Sequence, residues 1–172
     1  MENIRFILIF ILSVVLSSCW PTSISFVDSG SMPEEWKTFS VKTLDLNAPN
    51  APISYAPNLT ESIKDGIQNN TRLLLNSNQN SGEILIEGSV SRYDVTPLAV
   101  QPGATAAYNR LNISVNFTIF TTKPEEDQMI LTSSRFADFD VNTDFSSVES
   151  DLIEEINKQI IQDVINKLYS NW

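Results

Sequence analysis

The sequence predicts an α+β fold: a two-layer sandwich with two helices on one face of a four-stranded sheet, in the order β-α-β-β-β-α. Three observations lead there. Residues Leu111–Thr121 alternate strictly, with Leu111, Ile113, Val115, Phe117 and Ile119 set against Asn112, Ser114, Asn116 and Thr118. That is the period of a strand buried on one face only. The final segment repeats apolar residues at every fourth position, from Val148 through Leu152, Ile156, Ile160, Val164 and Leu168 to Trp172, flanked by Ile153, Ile161 and Ile165. Such a stripe is wide enough to cover a sheet. The chain has 172 residues, 42% apolar and 19% charged, which suits one domain with its own hydrophobic core.

The elements follow in chain order. Thr38–Leu46 puts Phe39 and Val41 on one parity and Leu44 and Leu46 on the other, a strand with an irregularity midway. Three prolines and two asparagines make Asn47–Pro57 a loop. Asn58-Leu59-Thr60-Glu61 has the form of a capping box. It opens a helix over Leu59–Asn70 whose Leu59, Ile63 and Ile67 share a face. Gly66 inside that helix weakens it by about 1 kcal/mol relative to Ala and suggests a close approach by another element. Leu73–Leu75 is a short apolar run and Asn76–Gly82 a turn.

Glu83–Val95 reads as a strand. Ile84, Ile86 and Val90 lie on one parity, Tyr93 and Val95 on the other, so a bulge is expected near Ser91–Arg92. Pro97–Asn109, with two prolines, a glycine and four alanines, reads as a long loop. After Leu111–Thr121 come a charged turn over Lys123–Asp127, a strand over Met129–Asp138 and a loop over Phe139–Asp144. Ser146-x-x-Glu149 is a second capping box. The last helix is acidic at its start and carries Lys167 near its end, which suits its dipole. Glu154–Lys158 and Asp163–Lys167 are expected as pairs on its surface.

Composition removes several function classes. Twenty-one acidic residues against 11 basic ones give a formal net charge of −10, which disfavours nucleic acid or an anionic membrane surface as a direct partner. The absence of histidine removes imidazole bases, histidine-ligated metals and histidine pH switches. One cysteine allows neither an intrachain disulfide nor a thiolate-rich zinc site. The acid clusters Glu125-Glu126-Asp127 and Asp138-Phe139-Asp140 lack the spacing of a calcium loop, and no glycine-rich phosphate loop is present. No catalytic residue, cofactor or metal is therefore expected. Arg92, Arg110 and Arg135 stand in strand-like settings, each followed by an apolar residue (Tyr93, Leu111, Phe136). They either pair with the abundant acids or serve as anchors at an interface or for a phosphate.

The first nineteen residues carry an address. Phe6–Leu16 is almost wholly apolar, too short for the roughly 20 residues of a bilayer span but right for the apolar region of a signal peptide. Leu16-Ser17-Ser18-Cys19 resembles the bacterial lipobox. That resemblance implies cleavage before Cys19 and acylation, palmitate included, of Cys19 and the new amino terminus. Two or more acyl chains make a stable anchor. The expected organisation is a signal peptide over 1–18, a lipidated tether over 19–32 and one domain over 33–172. Cys19 is followed by Trp20-Pro21-Thr22-Ser23 rather than the acidic or Lys-acidic run of surface-exported lipoproteins of Bacteroidota-type bacteria, and by that resemblance the domain is expected on the periplasmic side.

Longer stretches carry a second resemblance. They are Ile84–Val95 running into Thr96-Pro97-Leu98-Ala99-Val100-Gln101, then Ala106-Ala107-Tyr108-Asn109-Arg110-Leu111, Ser134-Arg135-Phe136-Ala137-Asp138, and Leu152-Ile153-Glu154-Glu155-Ile156 with a terminal Asn171-Trp172. In order and spacing they resemble the Bacteroidota-type LptE family of lipopolysaccharide-assembly lipoproteins. The resemblance implies two helices on a four-stranded sheet. It implies an outer-membrane lipoprotein that plugs the large β-barrel LptD as a 1:1 heterodimer, helps it assemble and takes part in lipopolysaccharide transport. Lipopolysaccharide is a candidate ligand, although the charge of −10 offers few cations for lipid A phosphates. Arg92, Tyr93, Tyr108, Asn109, Arg110 and Arg135 are the candidate contacts for barrel or lipid. The competing reading is a lipoprotein binding a small ligand or glycan in a pocket lined by aromatic residues such as Tyr93, Tyr108 and Phe136.

Overall fold

The alternation of the clearest strand sets the layers of the whole domain. In a computed structural model that describes residues 32–78, 82–98 and 107–170, the elements are β1 (Thr38–Val41), β2 (Asp45–Leu46), α1 (Tyr55–Asn70), β3 (Leu74–Leu75), β4 (Ile84–Leu98), β5 (Tyr108–Thr121), β6 (Asp127–Asp140) and α2 (Phe145–Tyr169). The signal peptide, Cys19 and nearly all of the expected tether lie outside the described residues. The sheet runs β3-β1-β4-β5-β6, with β2 also paired to β4. β4, β5 and β6 form an antiparallel meander. β1 and β2 join β4 in parallel.

Leu111, Ile113, Val115, Phe117 and Ile119 are all essentially inaccessible and share one sheet face with Ile84, Ile86 and Val90. Both helices lie on that face. α1 contributes Leu59, Ile63 and Ile67, and α2 contributes Leu152, Ile156, Ile160, Val164 and Leu168. The helices touch at Gly66, where an added Cβ would come within 2.4 Å of Ile161 Cγ2. The lack of a side chain at Gly66 therefore permits the close approach that its position in a helix suggested. A buried hydrogen bond from Tyr55 Oη to Asn157 Oδ1, 2.7 Å, also ties α1 to α2.

The α+β class and the two-layer arrangement agree with expectation, but among the described residues the sheet has six strands instead of four. The single strand expected over Thr38–Leu46 is interrupted: Lys42 N–H still bonds Ile86, while Leu44 N–H turns to the Thr60 hydroxyl on α1. That diversion divides it into β1 and β2. Leu74–Leu75 forms the sixth strand, parallel to β1. The predicted bulge is present, as the β4–β5 register shifts between Val90 and Arg92.

Both capping boxes are corrected. α1 begins at Tyr55, with Ser54 at its N-cap, so Asn58 lies inside the helix. Pro57 sits in the first turn, where a proline's missing N–H leaves no intrahelical bond unmade. α2 is capped by Asp144, whose side chain accepts from Ser146 N–H. Glu149 accepts instead from the Tyr93 hydroxyl. Of the two surface pairs expected on α2, Lys158–Glu154 forms, but Asp163 turns to Arg135 and Ser133 rather than to Lys167. Strand pairing also runs further than expected, taking Pro97 and Leu98 into β4, Tyr108 and Asn109 into β5, and Phe139 and Asp140 into β6. Met32, expected at the end of the tether, is buried at 2% exposure, and its carbonyl accepts from Arg72.

Candidate functional site

The sheet has a second face, which no described element covers. Register fixes its composition. Asn112 lies between Asp94 and Phe136, Ser114 between Arg92 and Ser134, Asn116 between Ser89 and Thr132, and Thr118 between Glu87 and Ile130. The middle of the face is thus a ladder of short polar side chains joined across strands. Ser114 Oγ and Ser134 Oγ are 2.9 Å apart, and Thr132 Oγ1 donates to Asn116 Oδ1 at 3.0 Å. A polar depression of about 480 Å³ lies on the β2 side of this ladder, lined by Lys42, Asp45, Glu87, Ser89, Asn116 and Thr118.

One end of the face is built differently. Arg110 makes a two-pronged ion pair with Asp138, at 2.7 and 2.8 Å. Its guanidinium carbon lies 3.6 Å from the centroid of the Phe136 ring, within the range of a cation–π contact. The hydrogen bonds from Arg110 hold the Asp138 carboxyl below its ordinary range, so the pair stays charged through neutral pH. Beside it, Arg92 grips Asp94 with both its Nε and Nη2. Phe136 and Tyr108 remain about half exposed, at 48% and 47%. Fixed charges beside open aromatic surface are the composition of interface anchors.

Six residues were singled out from sequence, and the sheet divides them. Arg92, Tyr108 and Arg110 lie on the open face. Tyr93 lies on the helix side, 5% exposed, edge-on to Tyr55 with ring centroids 5.5 Å apart. Burial, helped by its bond to Glu149, pushes its phenol above the ordinary value. Arg135 also lies on the helix side, opposite Ile113, and bonds Asp163 through both prongs. Burial alone would raise the Asp163 carboxyl; the bonds from Arg135 and Ser133 outweigh it and hold that group low. Asn109 lies between Pro97 and Phe139 on the same parity as Tyr93, half-buried at the strand end.

Tyr93 therefore faces the core while Tyr108 and Phe136 face outward, and the three do not line one pocket. Phe136 and Asp138 complete the Arg110 cluster. The alternation of β6, registered against β5, was the sequence signal that could have found them. Among the described residues, no cluster of three or more metal-ligating side chains occurs. No described helix is long and apolar enough to cross a membrane.

The sequence model of the LptE family, described as lipopolysaccharide-assembly, matches residues 41–168. The chain belongs to the LptE family. The match takes in the whole β4–β5–β6 meander and nearly all of α2. No curated protein matches the sequence closely. Solved structures share the fold at low identity. Uncharacterized lipoprotein B from Nitrosomonas europaea is 12% identical with a TM-score of 0.53, covering 83% of this chain and 86% of its own. Protein XCC0632 from Xanthomonas campestris is 11% identical with a TM-score of 0.51, covering 78% and 84%. Hypothetical protein CT253 from Chlamydia trachomatis is 10% identical with a TM-score of 0.50, covering 75% and 98%. The fold is thus shared with few identical residues, as packing by volume and pattern allows.

Proposed function

We propose that this LptE-family chain is anchored through Cys19 in the outer membrane, faces the periplasm and plugs an LptD-like β-barrel as a 1:1 heterodimer. In that position it supports barrel assembly and lipopolysaccharide transport by binding, without catalysis. The observation that carries the reading is the open sheet face. A polar, hydrogen-bonded ladder suits a wet lumen wall, because its groups can exchange water for barrel side chains without leaving apolar surface exposed. Arg110, Asp138, Phe136 and Tyr108 supply the anchor at one end. Arg92 and Arg110 are the open-face guanidinium groups that could meet a lipid A phosphate, and lipopolysaccharide is the proposed ligand there.

The test is a pull-down from detergent-solubilised outer membranes with a C-terminally tagged chain that retains Cys19. A large β-barrel recovered near 1:1, and lost on Arg110→Ala and Tyr108→Ala together, is the expected result. Recovery of the chain as a monomer, free of any barrel, would sink the reading. Ligand and glycan screening of the domain would then follow.

A further inference from the structure

β6 is the outermost strand of the sheet, and among the described residues nothing pairs with its outer side. Its fourteen residues pair with β5 in unbroken register, Asp127↔Thr121 through Asp140↔Tyr108. Protein edges are ordinarily blunted by proline, charged side chains, a bulge or short length, and on β6 the stretch from Gln128 to Ser134 carries no charge. Residues Asp127–Asp140 contain no proline, glycine or lysine, and the register shows no bulge. The opposite edge, β3, is only two residues long.

The hydrogen-bond phase of this edge follows from one contact. Val141 N–H donates to the Ala107 carbonyl, and that pair continues the β5–β6 register. Antiparallel pairs alternate between bonded and non-bonded. The odd-numbered residues of β6 therefore spend their backbone groups on β5, and the even-numbered ones point theirs outward. Gln128 N–H is satisfied by the Asp127 side chain. Ile130, Thr132, Ser134, Phe136 and Asp138 are left presenting an uninterrupted row of donors and acceptors. A groove of about 350 Å³ runs between β6 and the flank of α2, lined by Leu131, Arg135, Asn166 and Lys167 among others.

We propose that the outer edge of β6 takes up an extended segment of a partner polypeptide as an added strand. Backbone bonds to Ile130–Asp138 would supply affinity, and alternate side chains of the segment would enter the α2 groove or extend the open face. The segment is neutral to basic, because Asp127 and Asp140 stand at the two ends of the edge, while Asp138 and Arg135 are matched by Arg110 and Asp163. A second copy of this chain fits poorly. α2 makes its main sheet contact with β6, so joining two β6 strands would bring two α2 helices toward the spacing of neighbouring strands, about 5 Å. Packed helices need about 8–10 Å. A strand already paired on both sides has no free edge to offer, so this partner segment is a loop or tail. The proposal stands apart from the plug reading.

The test is residue-resolved amide exchange on the full chain, with and without a ten-residue synthetic peptide that alternates Thr and Val between terminal lysines. The expected result is slowing of about tenfold or more at Ile130, Thr132, Ser134 and Phe136, with the odd-numbered amides unchanged. Thr132→Pro removes one outward N–H while leaving the β5 ladder intact, and should abolish the effect; Thr132→Ala should keep it. Packing of the peptide by side chains alone would not produce the even–odd pattern. Even-numbered amides that exchange fast with peptide present would overturn the proposal. So would protection in the chain alone that rises with its own concentration, which would assign the edge to a second copy.

Discussion

The two faces of β5 are made by the same eleven-residue alternation, yet one is closed and the other open. On the covered side, Leu111, Ile113, Val115, Phe117 and Ile119 are at most 1% exposed. On the open side, Asn112, Ser114 and Asn116 carry short side chains that bond Thr96, Ser134 and Thr132 on the adjacent strands. The covered side carries the folding free energy, since apolar burial is the dominant favourable term. The open side contributes little to stability and is therefore free to be selected for a partner. A single strand thus separates stability from recognition by parity alone.

The sharpest way to break that contrast is to substitute on the covered side. Phe117→Ala on the covered side should cost about 3–5 kcal/mol, read as a fall in the urea midpoint. Gly66→Val should cost about 1–3 kcal/mol, because the stiff side chain of Ile161 occupies the space the new side chain needs. The same measurement checks it, and an unchanged midpoint would show that the two helices can part.

At the sheet's other end, Thr38 donates side-chain and backbone hydrogen bonds to the Glu83 carboxylate, which lie foremost in holding its pKa down at about 2. Its folded pKa lies below its unfolded one of 4.5. The stability it adds is therefore fully present above about pH 4.5 and lost as pH falls toward 2. Glu83→Gln should flatten the pH dependence of the unfolding midpoint in that window and leave a lower, level value above it. The smallest effect belongs to the open face. Asn116→Ala should cost less than about 0.5 kcal/mol of stability by the same measurement, although it sits beside Phe117. A large loss there would mean that the open ladder also holds the fold.

Strong periodicity made much of this fold legible. The buried parity of β5, the stripe of α2 and the phase change in β4 each follow from runs of several residues whose errors cancel. Features decided by one or two side chains were not legible. The start of α1 depends on Pro57 occupying a first turn. The α2 cap depends on Asp144 outcompeting Ser146 from two positions away. β3 is two leucines whose pairing to β1 is fixed by tertiary contact. Asp163 chose Arg135, on a strand 28 positions earlier, over Lys167 one turn along its own helix. The candidate site was half legible for the same reason. Arg110 could be named from its setting, but Phe136 and Asp138 join it only once β5 and β6 are placed in register.

The bulge in β4 bears on how this strand tolerates changes of length. Val90 pairs with Val115 and Arg92 with Ser114, so Ser91 is the extra residue. It acts as a buffer in the count. Losing Ser91 would leave Tyr93 beneath Glu149 and Arg92 beside Asp94, because the pairing on either side already ignores it. Gaining a residue between Arg92 and Tyr93 has no such slack, and would turn the remainder of the strand inside out. Lineages of this chain that shorten the strand at Ser91 should therefore keep both faces, whereas those that lengthen it two positions later must rebuild the core and the open surface together.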